Sequence, residues 1–217
     1  MAIKHTIEET APHPESWKSV EFSRRLPLSR FLLRENGEVV EKTTRELFLN
    51  KRVVVFGIPG AFTPTCSNNQ VPDYEAAYDD LIAAGVDEVY CVSVNDAYVM
   101  NAWRESLGIQ KVKFLPDGNG FFTRQMGKNV FKTNKGLGIR SWRYAAVISG
   151  SDDIEVVFSE VGQSDNCESD PYENSTPAVV LKYLRETGRP KSEDDFSDEE
   201  MDELLLIQNF EDELFLK

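Results

Sequence analysis

Cys66 is the residue whose neighbours best equip it for chemistry. It follows a β-branched run, Val53-Val54-Val55-Phe56, and a Pro59-Gly60 turn. The segment after it, residues 67–84, carries Val71, Ala76, Tyr78, Leu81 and Ile82 among polar positions, and Gly85 stands where a helix C-cap falls. This order reads as a buried strand, a tight turn and a helix with Cys66 in its first turn. Unpaired backbone N–H groups and the positive end of the helix dipole favour an anion there. Cysteines in such positions titrate at about 3.5–7.5 rather than about 8.5, and the thiolate is a nucleophile. The Pro-Gly surroundings suit an exposed turn better than a packed core.

Other chemistries lack their residues. The two histidines, His5 and His13, are far in sequence from Cys66, which argues against a Cys-His hydrolase. The three cysteines are widely spaced with no Cys-x-x-Cys pair, so neither a zinc site nor an organic cofactor is expected. No Gly-x-Gly-x-x-Gly follows a strand as nucleotide binding requires. A net charge of -13 opposes a nucleic-acid partner. No apolar run reaches the ~20 residues of a membrane span, and the first residues lack a signal-peptide core, so the expected location is cytoplasmic. There an odd cysteine count fits reactive thiols rather than a disulfide framework.

The elements that must position Cys66 follow from pattern. Residues 1–20 are a polar arm with Pro12 and Pro14. Phe31-Leu32-Leu33 and Val39-Val40 flank Asn36-Gly37, a hairpin signature. Residues 43–48 form a short helix before the strand at residues 52–56. Residues 86–94 are a second buried strand, and Asn95-Asp96 caps a helix from Ala97 to about Leu107. This β-α-β-α order favours a mostly parallel sheet covered on both faces. After the turn cluster at Pro116-Asp117-Gly118-Asn119-Gly120, residues 121–138 hold one short helix and a loop. Residues 143–148 and 154–158 pair as an antiparallel hairpin, a polar loop spans 162–176, and a last core helix covers about 178–185.

Pro59-x-x-x-Thr63-x-x-Cys66 resembles the peroxidatic motif of peroxiredoxins. Together with SVNDAYVMNAW and RSWRY, PGAFTPTCS is similar to the type II, peroxiredoxin-five-like subfamily. The resemblance covers about Glu21 to Leu184. It implies an α/β, thioredoxin-like fold with a central mixed sheet flanked by helices, and reduction of hydrogen peroxide or alkyl hydroperoxides at Cys66. Such a reaction needs negative charge stabilised on both the attacking sulfur and the leaving oxygen. The resemblance gives Thr63 the role of hydroxyl donor, Arg143 a place over the thiolate and Pro59 that of a shield against water. Arg140 and Arg124 are rival cations that do not match the family position.

The sulfenic acid formed on Cys66 must be removed by a second thiol. Cys91 has a strand-core position, yet matches the second cysteine of plant-like members. Cys167 lies in an exposed acidic stretch, Asp165-Asn166-Cys167-Glu168, whose charge should raise its pKa and slow it as an attacker. Neither is a clear resolving cysteine, which favours glutathione and a glutaredoxin, or thioredoxin, as reductant. The competing reading is a redox-sensing or client-binding protein that uses Cys66 as a switch.

The expected organisation is an arm at 1–20, a thioredoxin-like domain at 21–188 and an acidic extension at 189–217. Residues 191–217 hold eleven acids and two lysines, net -9. Ser197-Asp198-Glu199-Glu200 reads as a capping box, and Met201, Leu204, Leu205, Ile207, Phe210 and Leu214 follow as an apolar band. The extension is expected to be an amphipathic helix docked on its own domain or on the second subunit of a homodimer.

Overall fold

A computed structural model describes residues 26–149 and 153–188; the expected N-terminal arm and the acidic helix at 189–217 lie outside them. The chain begins with a hairpin, β1 (Arg30–Glu35) and β2 (Glu38–Thr43). Glu35 faces Glu38 across Asn36 and Gly37, whose φ values of 51° and 86° are those the Asn-Gly turn requires. Thr43 then caps α1 (Thr44–Phe48) in a capping box with Glu46.

A five-stranded sheet forms the centre, in the order β5-β4-β3-β8-β9. Its strands are β3 (Arg52–Ile58), β4 (Glu88–Ser93), β5 (Lys113–Pro116), β8 (Tyr144–Ser149) and β9 (Asp153–Ser159). The pairings β3–β4 and β4–β5 are parallel, whereas β3–β8 and β8–β9 are antiparallel. The mixed sheet of the thioredoxin-like fold is thus present. The mostly parallel arrangement read from the β-α-β-α order holds for its first half, because β8 enters beside β3 without a helical crossover.

β3 is buried along its whole length and divides two cores. Val54, Phe56 and Ile58 pack with Cys66, Tyr74 and Trp103 on one face. Val53 and Val55 pack with Phe31, Phe48 and Phe122 on the other. The first face is covered by α2 (Val71–Ala76), α3 (Tyr78–Ala83), α4 (Ala97–Leu107) and α6 (Pro177–Thr187), the second by the hairpin, α1 and α5 (Phe121–Gln125). Asp96 caps α4 as expected, accepting from the N–H groups of Tyr98 and Val99.

Two features escape the sequence pattern. Lys113–Pro116 is a strand at the sheet edge, too short to show alternation. Residues 121–138 hold more than a helix and a loop: β6 (Asn129–Phe131) pairs with β7 (Ile139–Ser141) across a 3₁₀ turn. Among the described residues, no helix is long and apolar enough to cross a membrane.

Gly57 is the tightest point of β3. A Cβ there would lie 2.1 Å from Tyr144 Cε1 and 2.8 Å from Ser141 Oγ. Gly57→Ala is therefore expected to destabilise the protein by about 1–3 kcal/mol through overpacking. Urea unfolding measures this, and an unchanged midpoint would show that the Tyr144 ring moves aside freely.

Candidate active site

The β3–β8 register brings two distant residues together. Gly57 faces Tyr144, so Arg143 enters at the end of the sheet where β3 leaves towards Pro59 and Cys66. Beyond β3 the turn is fixed by Asn95, whose Oδ1 accepts from Ala61 N at 3.0 Å and from Ser93 Oγ at 2.8 Å. Phe62, exposed at the rim, takes a φ of 62°, a backbone region uncommon for an aromatic residue.

Cys66 opens a π-helical turn, Cys66–Gln70, in which Val71 N–H bonds to the Cys66 carbonyl. Pro72 follows and has no N–H to give, and a wider turn at this point lets the helix continue into α2. The thiol is in the first turn, as the sequence predicts, yet it is not on an exposed turn. Its residue is 0% exposed, because its side chain belongs to the core of Val54, Phe56 and Tyr74. Trp103 Nε1 donates to Ser67 Oγ at 3.1 Å and ties this turn to α4.

The guanidinium of Arg143 meets this sulfur. Nη1 lies 3.5 Å from Cys66 Sγ and also donates to Gln70 Oε1; Nη2 pairs with Asp170, and Nε donates to Pro171 O at 2.9 Å. The residue is 1% exposed. Burial pulls its pKa down, but Cys66 and Asp170 outweigh that and hold it above its ordinary value. Asp170 is itself held below the ordinary range: burial opposes this, and a hydrogen bond from Thr65 together with Arg143 overcomes it.

Thr63 and Pro59 stand in the same turn. Pro59 is buried, and the Thr63 hydroxyl donates to Gly60 O at 2.8 Å. That proton would have to be redirected before Thr63 could donate to a ligand. Arg140 lies closer than its standing as a mere rival suggests. A Cβ on Gly60 would come within 3.0 Å of its Nη1, and burial holds its pKa below the ordinary value against the opposing pull of the Cys66 sulfur.

All three cysteines are free. Cys91 sits on β4 opposite Phe56 and is fully buried; burial, and then Cys66, push its thiol well above the ordinary value. Cys167 corrects the sequence reading. Its thiol is lowered, not raised, chiefly by a hydrogen bond with Ser169 Oγ at 3.0 Å, with Lys132 nearby adding to the effect. The neighbouring acids are engaged by other groups, Asp165 Oδ1 accepting from Phe131 N–H and Glu168 Oε1 from Asn134 Nδ2, and Lys132 Nζ donates to the Cys167 carbonyl at 2.7 Å.

Sequence reasoning missed Gln70, Asp170 and Glu160. Glu160 holds the loop that supplies Asp170. Its Oε1 accepts from the backbone N–H groups of Glu173, Asn174 and Ser175 and from the Ser175 hydroxyl. Burial acts to raise its pKa, but these donors keep it below the ordinary range.

The redoxin family model matches residues 24–175. Peroxiredoxin y4vD of Sinorhizobium fredii is 51% identical over 171 residues, which are 75% of this chain and 90% of that protein. The structure of the Plasmodium falciparum antioxidant protein, titled a 1-Cys peroxiredoxin, is 34% identical with a TM-score of 0.73 and covers 77% of this chain and 99% of its own. Reduced Prx3 of Vibrio vulnificus, solved in complex with H2O2, is 34% identical with a TM-score of 0.68 and covers 76% and 99%. The chain belongs to the peroxiredoxins, within the redoxin family. It is a thiol-dependent peroxidase.

Because the folded-state pKa of Glu160 is depressed, its stabilisation is fully present above the ordinary glutamate value, about 4.3, and is lost as pH falls through the lower value. Glu160→Gln is expected to flatten the acid limb of a stability-against-pH curve measured by urea unfolding. An acid limb identical to the parent's would assign the acid sensitivity to other carboxylates.

Proposed function

We propose that Cys66 is the peroxidatic cysteine and that Arg143, with Arg140 as a weaker second cation, stabilises the charge of the reaction. The observation that carries this is the buried Arg143 guanidinium 3.5 Å from Cys66 Sγ, fixed by Gln70, Asp170 and Pro171. The Cys66 thiolate attacks one oxygen of hydrogen peroxide or an alkyl hydroperoxide, an S–O bond forms and the O–O bond breaks. The other oxygen leaves as hydroxide or alkoxide and takes up a proton, and Cys66 becomes a sulfenic acid. Arg143 faces the charge on the sulfur and on the leaving oxygen, in surroundings where buried charges interact strongly. Thr63 donates its hydroxyl to the peroxide once it turns from Gly60 O, and Pro59 shields the site from water.

An outside thiol, glutathione with a glutaredoxin or thioredoxin, then reduces the sulfenic acid. A disulfide to Cys66 forms with release of water, and a second thiol breaks it. The protein acts in the cytoplasm, where its three free thiols stay reduced. It acts as a homodimer, for which exposed Phe62 and Phe121 offer apolar surface.

Stopped-flow peroxide consumption tests the assignment. Cys66→Ser should abolish the fast oxidation, and Arg143→Ala should slow it by roughly 10²–10³-fold, the usual cost of one donor to developing charge. Arg140→Ala should cost less than a tenth of that. Fast oxidation surviving in Cys66→Ser, or a larger loss from Arg140→Ala, contradicts the roles given.

The reductant is read from intact mass. Mild oxidation followed by glutathione should leave one glutathione adduct on Cys66. An intramolecular disulfide before glutathione is added would identify Cys91 or Cys167 as a resolving cysteine.

A further inference from the structure

A cavity of about 380 Å³ opens between the β1–β2 hairpin, α4 and the edge strand β5, apart from the cysteine site. Leu33, Met100 and Phe114 give it apolar walls. Arg34, Lys51, Arg104, Lys111 and Lys113 surround them, against a single acid among the described residues, Glu35. In a chain of net charge -13 this is a local reversal of sign. Lys111 is paired with Asp79 at 2.6 Å and Lys113 with Glu88. Arg104, in contrast, keeps a buried Nε without a hydrogen-bond partner among the described residues, and Arg34 stacks on the Tyr98 ring, 5.2 Å from its centroid. A buried donor without a partner is costly, so the cavity suits an occupant that brings an acceptor. Such an occupant combines carboxylates with large apolar side chains.

We propose that this occupant is the C-terminal segment of the same chain, residues 191–217. Its composition is the complement of the cavity: eleven acids and two lysines, with Met201, Leu204, Leu205, Ile207, Phe210 and Leu214 at helical spacing. The exit point of the chain favours it. Gly188 O accepts from Arg52 Nη1 at 2.5 Å, and Lys51, the adjoining residue, lines the cavity. Residues 189–196 can span about 26 Å when extended before the helix-start signal at Ser197. A short tether of this kind gives an effective concentration of about millimolar, so the segment outcompetes a second copy in dilute solution. The apolar side chains enter the cavity, and the acids on either side of them meet Arg104, Arg34 and the lysines. This placement is independent of the roles given to Cys66 and Arg143.

Zero-length carbodiimide cross-linking of the full-length protein tests it, because that reagent joins only lysines and carboxylates already in contact. The expected links run from Lys51, Lys111 or Lys113 to acids of residues 193–213, within one chain when isotopically light and heavy protein are mixed. Leu205→Asp with Phe210→Asp, made in the full chain, should remove these links and raise deuterium uptake in peptides over residues 97–104 and 113–116. Peroxide consumption by Cys66 should not change. Links running only between light and heavy chains overturn the proposal and give the cavity to a second copy. Absence of these links, with deuterium uptake unaltered by the double substitution, overturns it as well and leaves the cavity to a foreign acidic partner.

Discussion

A buried guanidinium beside a buried thiol sets the terms for the rest of this protein. Taking Arg143 out of water costs several kcal/mol unless each of its donors finds an acceptor. The chain supplies them from two places: Cys66 and Gln70 in the turn after β3, and Asp170 and Pro171 in the loop before α6. That loop must in turn be held, and Glu160 holds it through three backbone N–H groups and one hydroxyl. Glu160 N–H donates to Arg143 O at 3.1 Å, so the residue that anchors the loop is tied to the backbone of the arginine it serves. Tyr74 completes the circuit from the other side, its hydroxyl donating to Ser175 O at 2.8 Å.

The mixed sheet is the economical way to bring these pieces together. In a fully parallel sheet, a residue just before a strand and a residue just after its neighbour stand at opposite ends. Because β8 runs antiparallel to β3, the entry of one strand and the exit of the other share an edge, and 77 residues of sequence separation close to 3.5 Å. Gly57 is part of the same device, since its lack of a side chain lets the Tyr144 ring lie against β3 and seats the start of β8.

Much of this was legible in the sequence where local chemistry decides. The Asn36-Gly37 turn, the short helix after Thr43, the Asp96 cap and the buried run of β3 each depend on residues adjacent in the chain. Cys66 at a helix start follows from the same local rules. The clamp on Arg143 was not legible, because Gln70 and Asp170 look like ordinary polar surface residues until the fold closes. The charge environment of Cys167 was misread for a related reason. Adjacent acids in sequence need not face a side chain, and Lys132, which does act on it, comes from 35 residues upstream. The burial of Cys66 was missed because Pro-Gly turns are commonly exposed, whereas this one is covered by the aromatic core below it.

The environments of the three thiols divide their work. Cys91 lies in the sheet interior opposite Phe56, and burial raises its pKa so far that little thiolate exists near neutrality. To reach Cys66 it would have to leave a strand paired on both sides, at the cost of ladder hydrogen bonds and core packing. Cys167 has the opposite character: a half-buried loop thiol with a lowered pKa, three residues from the Asp170 that grips Arg143. Cys66 itself is enclosed, with the turn at residues 59–66 on one side and Arg143, held by Asp170 and Pro171 of the loop before α6, on the other. Arg143 touches both elements that enclose this sulfur, while Asn95 and Trp103 hold the turn and Glu160 and Tyr74 hold the loop independently of it.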